Sequence, residues 1–298
     1  MPELPEVETI KLGLQKHLIG HEIEDVKVNA PKIFEGNPKD IIGAKIVDIK
    51  RIGKGLIIEL DNDYVLTVHL KMTGQLVFQD ATTKNSKLSA KVGGETLPSK
   101  YSHVIFKLKT ENVKLKNNEP DAFLYYNDLR RFGWIKIIKK SDLKDVTFFK
   151  EMGPEPKVGE DLAGKELKLD YFKVVVQKSN LSIKVTLMDQ KKIGGIGNIY
   201  ANDALFLAGI DPRRRGKSLS GDEVQKLFKA VYEVIKKSLS YGGSSDENFV
   251  NALGQEGKYQ DHALVYGKKG DKCSICGATI EKIQLGGRGT FFCPKHQK

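Results

Sequence analysis

Residues 46–70 read IVDIKRIGKGLIIELDNDYVLTVHL, and this stretch decides the fold of the first half of the chain. Its apolar residues follow a period of two over Ile46–Ile49, Leu56–Leu60 and Tyr64–Leu70, which predicts three β-strands. Asp61-Asn62-Asp63, between the last two strands, has the composition of a hairpin turn. The stretch therefore predicts consecutive strands in a β-rich domain.

The period of two extends outward on both sides, from about Ile23 to Ile138. It predicts further strands at Val26–Val28, Val104–Leu108, Ala122–Tyr126 and Trp134–Ile138. Residues 80–101 interrupt the pattern with Thr, Lys, Ser, Gly and Pro, and we expect a mobile surface insertion there. From these periods alone, the first half is a β-sandwich or a barrel.

Segments with a helical period lie before and after this β-rich region. Residues 5–19 have apolar positions three and four apart, which predicts a helix leading into the first strand. Gly153-Pro154-Glu155-Pro156 ends the β-rich region, and a connecting helix is predicted from there to about residue 180. Ser220 and Glu223 form a capping-box pattern before a long apolar helix, which Gly242-Gly243 ends.

Composition limits the class of protein. The chain has 298 residues with 49 Lys+Arg and 38 Asp+Glu, a net charge of +11, and 40% of it is hydrophobic. This content is typical of folded proteins, and the positive charge is compatible with a polyanionic partner. Apolar runs stay short of a membrane span of roughly 20 residues, and the N-terminus lacks the order of a signal peptide. We therefore expect a cytoplasmic protein with no membrane partner.

The cysteines indicate a metal site near the C-terminus. All three lie in the pattern Cys273-x-x-Cys276 and Cys293-x-x-His296, which presents four ligands as two close pairs. Tetrahedral Zn²⁺ is held by such pairs, and the segment between them has a strand-turn-strand composition. We predict one structural Zn²⁺ with His296 as the fourth ligand. The alternative is a CxxC pair beside an unrelated CxxH.

The same module is basic. Residues 268–298 hold seven Lys/Arg and two Asp/Glu. Arg288 follows two glycines at the tip of the predicted turn, where the backbone can approach a partner closely. We expect Arg288 to contact phosphate or a base, and the alternative is a solvated turn charge.

A glycine-rich turn at Ile193-Gly194-Gly195-Ile196-Gly197 joins two predicted helices. No strand precedes it, which excludes a dinucleotide-binding fingerprint. We expect its open amides, with Asn198 at the start of the second helix, to form an anion nest beside Lys184. Both residues are predicted to contact a DNA phosphate. A tight helix–helix connection is the simpler interpretation and is compatible with this role.

Five segments together resemble the bacterial formamidopyrimidine-DNA glycosylase family. They are Pro2–Thr9, His69–Gly74, Asn127–Gly133, Gly194–Tyr200 and the cysteine-bearing hairpin. The segments occur in the family's order and span essentially the whole chain except residues 80–101. The resemblance is therefore specific.

The resemblance implies an α+β multidomain fold. An N-terminal catalytic β-sandwich with a leading helix would cover residues 1–150, and a linker with a connecting helix residues 151–180. A helix-two-turn-helix DNA-binding domain would cover 181–262, and a zinc-finger β-hairpin 263–298. The implied partner is damaged double-stranded DNA, bound by a monomer associated with the nucleoid.

The implied chemistry uses the N-terminal amine. Removal of Met1 would leave Pro2 with a secondary amine, and an α-amino group titrates about two pH units below lysine. In the family, this nitrogen attacks the deoxyribose C1′, expels the damaged base and forms an imine. The imine then permits β- and δ-elimination of the two phosphates, so the chemistry needs no cofactor. Oxidised purines such as 8-oxoguanine and formamidopyrimidines are the implied substrates.

Glu3, Glu6, Lys54 and His69 also match the family. Glu3 corresponds to an acid/base, Glu6 to a carboxylate that orders the site, Lys54 to a contact with the lesion and a phosphate, and His69 to a phosphate contact. Without the resemblance, the two glutamates suit a helix N-terminus and the lysine a surface position. The histidine would then be an ordinary strand residue.

Three further residues match those that fill the space left by a flipped nucleotide, and they are Met72, Arg130 and Phe132. A flexible thioether, a planar cation and an aromatic wedge suit that task. Met72 and Phe132 are otherwise plausible core side chains.

The sequence departs from the family in three places. His296 replaces a cysteine, Asp203 replaces a glutamate, and Glu247 replaces an arginine of the loop that touches the everted base. The lesion preference therefore stays open. Two alternatives are an endonuclease VIII-like glycosylase for oxidised pyrimidines and a non-catalytic protein that binds damaged DNA.

Overall fold

The computed structural model describes residues 1–84, 86–110, 122–159 and 162–298. The chain divides into two compact units. The first contains Met1–Lys150 with Tyr241–Lys258, and the second contains Glu151–Ser240 with Tyr259–Lys298. The first unit thus includes a segment that the sequence analysis places in the helical domain. The four domain ranges themselves stay predictions.

The first unit is a β-sandwich with a leading helix. Helix α1 spans Leu4–Leu18, and the short helix α2 spans Thr147–Lys150. Its strands, within the described ranges, are β1 (Glu22–Val28), β2 (Phe34–Glu35), β3 (Ile46–Ile52), β4 (Gly55–Leu60), β5 (Tyr64–His69), β6 (Gly74–Asp80), β7 (Ser102–Lys109), β8 (Ala122–Asp128) and β9 (Trp134–Lys139).

The strands form two sheets with one core between them. One sheet has the order β1-β7-β8-β6 and the other β2-β9-β5-β4-β3, with only β2 and β9 parallel among the paired strands described. The stretch 46–70 forms β3, β4 and β5 as predicted. Ile58 from one sheet and Phe106 from the other are buried in the same apolar cluster as Ile10 of α1. The sandwich, rather than the barrel, is therefore confirmed.

The surface insertion expected at residues 80–101 is exposed or partly exposed at nearly every described position, but one of its residues is buried in the first unit. Val92 is fully buried in a cluster with Val77 and Val250. The scattered apolar residues of this stretch lack a helical or strand period, so the sequence pattern did not indicate their burial.

The second unit is helical and ends in a hairpin. Its helices within the described ranges are α3 (Leu169–Gln177), α4 (Ile183–Met188), α5 (Asn198–Ala208) and α6 (Gly221–Ser240). The predicted connecting helix from 153 to 180 is wrong before Leu169. Two prolines and Gly159, whose φ is +71°, do not support a helix there. No helix in the described ranges is both long and apolar enough to cross a membrane.

The start of α6 and the turn of the C-terminal hairpin have the structures that their sequences predict. The Ser220 amide donates to Glu223 Oε2 over 2.8 Å and the Glu223 amide to Ser220 Oγ over 3.2 Å, which confirms the capping box. Strands β10 (Glu281–Leu285) and β11 (Arg288–Phe292) pair antiparallel. Gly286 and Gly287 connect them with φ values of +58° and +72°, as a two-residue type I′ turn requires.

Candidate active site and metal centre

The N-terminal residues are held by one buried carboxylate. Glu6, in the first turn of α1, accepts the Glu3 amide at Oε2 and the Ser244 amide at Oε1, both over 2.8 Å. Glu3 and Glu6 are 3% and 1% exposed, and Pro2 is also buried. Ionised acceptors make strong hydrogen bonds to amides at a helix start. Glu6 therefore fixes the backbone beside Pro2 and ties it to the segment Tyr241–Lys258.

Met1 contacts the same segment. Its ammonium lies 2.8 Å from Glu247 Oε2, and both groups are partly exposed. Glu247 is the residue that departs from the family's arginine. A carboxylate, instead of a guanidinium, therefore lies beside the Met1 ammonium.

Lys54 lies in the turn between β3 and β4, and it is only 4% exposed. Gly53 before it has a φ of +58°, and its carbonyl accepts Arg51 Nη1 over 2.9 Å. Arg51 also donates from Nε to Glu8 Oε2 over 2.7 Å in a buried ion pair. This pair is not among the predicted contacts, and it holds the Lys54 turn against α1. A glutamate on the buried face of α1 was the signal that could have revealed it.

His69, at the end of β5, lies opposite Gly55 in the strand register. Burial, together with the nearby charges of Lys71 and Lys54, lowers its pKa to about 3. Its Nδ1 accepts the Lys71 amide over 2.9 Å, so the neutral ring carries its proton on Nε2. Because the folded pKa is depressed, this group opposes folding progressively as the pH falls from about 6.5 toward 3.

The three predicted void-filling residues lie on two loops at one end of the sandwich. Met72 is partly exposed on the loop between β5 and β6. Phe132 is 54% exposed on the loop after β8, and the Arg130 guanidinium carbon lies 4.6 Å from the centre of its ring. An exposed aromatic ring covered by a cation is available to a partner. Neither Met72 nor Phe132 is a core side chain.

Asp128, which is not among the predicted site residues, connects these two loops. It is fully buried. Its Oδ1 accepts the Thr73 hydroxyl over 2.5 Å and the Arg130 amide over 3.1 Å, and its Oδ2 accepts the Gly133 amide over 2.8 Å. Its position at the end of β8 and before a glycine-bearing turn was the available signal.

The backbone of both loops is unusual. Lys71 and Arg131 have φ values of +51° and +56°, a region that non-glycine residues rarely adopt. A Cβ atom on Gly133 would lie 1.9 Å from Tyr126 Oη and 2.7 Å from the His69 carbonyl oxygen. Such conformations persist where surrounding contacts determine them, and they are common at functional sites.

Lys184 does not lie in the predicted exposed position beside the glycine-rich turn. It is fully buried in the second unit, and its Nζ donates to the Gly289 carbonyl over 3.0 Å and the Thr290 hydroxyl over 2.7 Å. The ammonium is thus used to hold β11. The prediction of a phosphate contact is wrong in this geometry, because a phosphate would have to displace both internal partners.

Two amides of the glycine-rich turn, which were expected to be open, already have internal hydrogen-bond partners. The Gly194 amide donates to the Pro154 carbonyl over 2.9 Å, and the Gly195 amide donates to Gln190 Oε1 over 3.0 Å. These two amides are therefore not open to an anion. Asn198 is the first residue of α5 and is partly exposed, so it keeps its predicted position beside the turn.

Three cysteines form a candidate metal centre. Ligand atoms of Cys273, Cys276 and Cys293 all lie within 4.8 Å of one another, and two of the sulfurs, on Cys276 and Cys293, are 3.4 Å apart. Soft thiolates at this spacing fit a structural Zn²⁺. All three cysteines are free of disulfides, so their sulfurs can serve as ligands. The metal would join the two ends of the β10–β11 hairpin.

His296 is not part of this cluster. Its Nε2 lies 2.9 Å from the Phe206 carbonyl oxygen, and its ring packs against the Phe206 ring. This contact uses only Nε2, and metal-bound histidines commonly donate their other ring N–H to a backbone carbonyl. The His296 amide lies 3.4 Å from Cys293 Sγ, so the residue is next to the cluster. His296 therefore stays the predicted fourth ligand.

Asp203, the second departure from the family, is a buried anchor. Its carboxylate accepts the Tyr259 hydroxyl and the amides of Leu264, Val265 and Tyr266, over 2.8 to 3.0 Å. Four donors satisfy a buried carboxylate. Asp203 therefore fixes the segment that leads from α6 to the metal module.

Each of the two units thus contains some of the predicted site residues. In the first unit, the predicted residues are Pro2, Glu3, Glu6, Lys54, His69, Met72, Arg130 and Phe132. The second contains Lys184, Asn198, Arg288, the three cysteines and His296. Arg288 is exposed at the hairpin turn, and its guanidinium makes no hydrogen bond or ion pair with the described residues.

Family models match three parts of the chain. The formamidopyrimidine-DNA glycosylase N-terminal domain matches residues 1–135, and the H2TH domain of the same enzyme matches 152–249. A zinc finger found in FPG and IleRS matches 270–295. These models cover more than half of the chain.

Full-length relatives and solved structures point to the same family as these models. The chain is 35% identical to formamidopyrimidine-DNA glycosylase from Listeria innocua, with both chains covered completely. It is 39% identical to that from Rickettsia africae, with 98% of each covered. Two solved structures, each 32% identical with a TM-score of 0.83 and complete coverage of both chains, are similar to it. They are a Lactococcus lactis FPG mutant with a DNA containing Fapy-dG, and MutM with a DNA containing carbocyclic 8-oxo-G. Matched in sequence from end to end, the chain belongs to the formamidopyrimidine-DNA glycosylase family.

Proposed function

We propose that this protein removes oxidised purines from duplex DNA and then cleaves the abasic strand. The observation that carries the proposal is the buried start of the chain, where Glu6 fixes the Glu3 backbone beside Pro2. Two similar solved structures contain Fapy-dG and 8-oxo-G DNA, which supports oxidised purines as substrates. One chain is sufficient for the reaction we propose.

Pro2 is the nucleophile in this proposal. After Met1 is removed, the neutral secondary amine attacks C1′, a C–N bond forms, and the bond to the damaged base breaks. The base leaves with a proton and the sugar ring opens, which gives a cationic imine. Loss of a C2′ proton then expels the 3′ phosphate, and a second elimination expels the 5′ phosphate.

Glu3 moves the protons of this sequence, because it is the carboxylate next to the amine. Glu6 orders the site through its two backbone hydrogen bonds. Lys54, directly before β4, and the neutral His69, at the end of β5, lie near each other, and we assign them to the lesion and an adjacent phosphate. A neutral imidazole contributes a hydrogen bond from Nε2 rather than a charge.

Met72, Arg130 and Phe132 fill the space that the flipped nucleotide leaves. The Arg130–Phe132 contact gives a planar cation on an exposed ring, which can stack on bases. Asp128 keeps the two loops that carry these residues at a fixed separation. Asn198 and Arg288 contribute phosphate contacts in the second unit.

The test is reductive trapping. The purified protein is mixed with a duplex that contains an abasic site, and borohydride is added. We expect a covalent protein–DNA adduct, because hydride reduces the imine to a stable amine. A protein that only binds damaged DNA would give no adduct, and this result would refute the enzymatic proposal.

A second assay decides the substrate branch. We expect faster excision of 8-oxoguanine than of thymine glycol in the same duplex. The reverse order would identify an endonuclease VIII-like enzyme instead.

Arg288→Ala should weaken DNA binding mainly through one lost phosphate contact. The expected slope of log affinity against log salt becomes shallower by about 0.9, the value for one phosphate on B-DNA. Lys269→Ala is the matched control, because it removes an exposed positive charge from the same module. An equal change in both variants would mean that only the overall charge matters.

A further inference from the structure

Residues 86–99, the brace segment, connect β6 and β7 and close an apolar cluster. Leu88, Val92 and Leu97 pack there against Val77 of β6 and Val250. Val92 and Val250 are fully buried. The brace segment is therefore attached to the part of the first unit that follows α6, namely Tyr241–Lys258.

Polar contacts strengthen this attachment. The Ser89 amide donates to the Gly254 carbonyl over 2.9 Å, and its hydroxyl donates to Glu256 Oε1 over 2.5 Å. Lys91 Nζ lies 2.8 Å from Glu256 Oε2 and also donates to the Ser245 carbonyl. Hydrogen bonds from Lys91 and Ser89 lower the pKa of Glu256. Lys91 thus joins two points of the opposite segment, eleven positions apart.

A buried amide reinforces the same junction. Gln75 on β6 is 1% exposed. Its Nε2 donates to the Lys91 carbonyl over 2.9 Å and to the Asn248 carbonyl over 2.7 Å. The sheet, the brace segment and the loop at 244–248 therefore meet at one side chain.

The loop at 244–248 leads directly to the N-terminus. Ser245, whose carbonyl Lys91 binds, follows Ser244, whose amide binds Glu6. Glu6 in turn accepts the Glu3 amide. The contacts thus run without a gap from the brace segment to the residue beside Pro2.

The two residues before this loop add to the entropic cost of ordering it. The loop follows Gly242 and Gly243, whose φ values are +71° and +83°. Glycines leave the backbone many conformations, and ordering them has an entropic cost. A support from the brace segment offsets that cost.

We propose that Lys91 is a positioning residue for the excision reaction. It holds the loop at 244–248 against Glu6, and through Glu6 it sets the backbone of Pro2 and Glu3. The inference rests on the proposed function of Pro2. Lys91 itself touches no reacting atom.

The experiment compares Lys91→Met with Lys87→Met. Both remove one positive charge from the brace segment, but Lys87 is exposed and makes no hydrogen bond or ion pair with the described residues. Single-turnover excision is measured at saturating protein on an 8-oxoguanine duplex. We expect Lys91→Met to be slower by roughly ten- to a hundredfold, since small misplacements of reacting groups have effects of this size. DNA affinity and thermal midpoint should match those of Lys87→Met.

Two further readouts separate positioning from stability and from the proposed function. Lys91→Arg should recover most of the rate, because a guanidinium can bind both Ser245 and Glu256. Hydrogen exchange should show lost protection at residues 244–248 in Lys91→Met only, and this readout needs no activity. If the wild type forms no borohydride adduct, the proposed function fails, while the exchange result still tests the brace.

The inference is overturned if Lys91→Met excises at the rate of Lys87→Met. It is also overturned if the slower rate is accompanied by an equal loss of folded protein. Unchanged exchange at residues 244–248 would likewise contradict it.

Discussion

Pro2→Gly is expected to lower the rate of base excision by about a hundredfold or more, because the reacting nitrogen loses the ring that fixes its position. The variant keeps an α-amino group, so residual trapping by borohydride is compatible with the proposal. Single-turnover cleavage of an 8-oxoguanine duplex measures the effect. The change should appear in the chemical step and not in DNA affinity.

Leu12→Ala is the control for this substitution, since Leu12 is 53% exposed on the same helix. It should excise at the wild-type rate. The intact mass of each preparation must show that Met1 is absent, because a retained methionine converts the amine to an amide. A processed Pro2→Gly protein with undiminished excision would refute the nucleophile assignment.

Cys293→Ser is expected to release the metal and disorder the hairpin β10–β11. Zinc contributes about 10–16 kcal/mol to the folding of isolated zinc-finger peptides, so small modules depend on it. We expect the zinc content to fall from about one per chain to near zero. Elemental analysis and hydrogen exchange of residues 273–293 check the two effects.

Ser274→Ala is the matched control, because it changes an exposed residue beside a ligand without removing a sulfur. It should keep its zinc and its protected hairpin. Arg288 lies on this hairpin, so Cys293→Ser should also bind DNA more weakly than Arg288→Ala. A fully ordered hairpin without zinc would show that the cysteines act only by packing.

Local patterns predicted most of the fold. The alternation in residues 46–70 gave β3, β4 and β5, because side chains of a strand alternate between its two faces. The capping box of α6 and the two-glycine turn of the hairpin were equally readable, since each depends on residues close in sequence. The metal cluster followed from the spacing of three cysteines.

Contacts between distant residues could not be predicted in this way. Lys184 looked like a free cation beside a glycine turn, but its partner Thr290 lies 106 positions later. The contact of His296 Nε2 with the Phe206 carbonyl joins residues 90 positions apart, and its spacing from Cys293 did not indicate it. The expected insertion was judged by its polar composition, while Val92 finds its apolar partners in separate parts of the chain. The catalytic assignments came from resemblance rather than from periodicity.

The carboxylate of Asp128 has a consequence for protein engineering. Because it binds both Thr73 and Gly133, the two loops at that end of the sandwich share one fixed point. A graft that transplants only one loop from a homologue would leave the other built for a different geometry. The smallest segment that can be transplanted is therefore both loops together with Asp128. For the same reason, natural sequence variation in one loop should be accompanied by variation in the other.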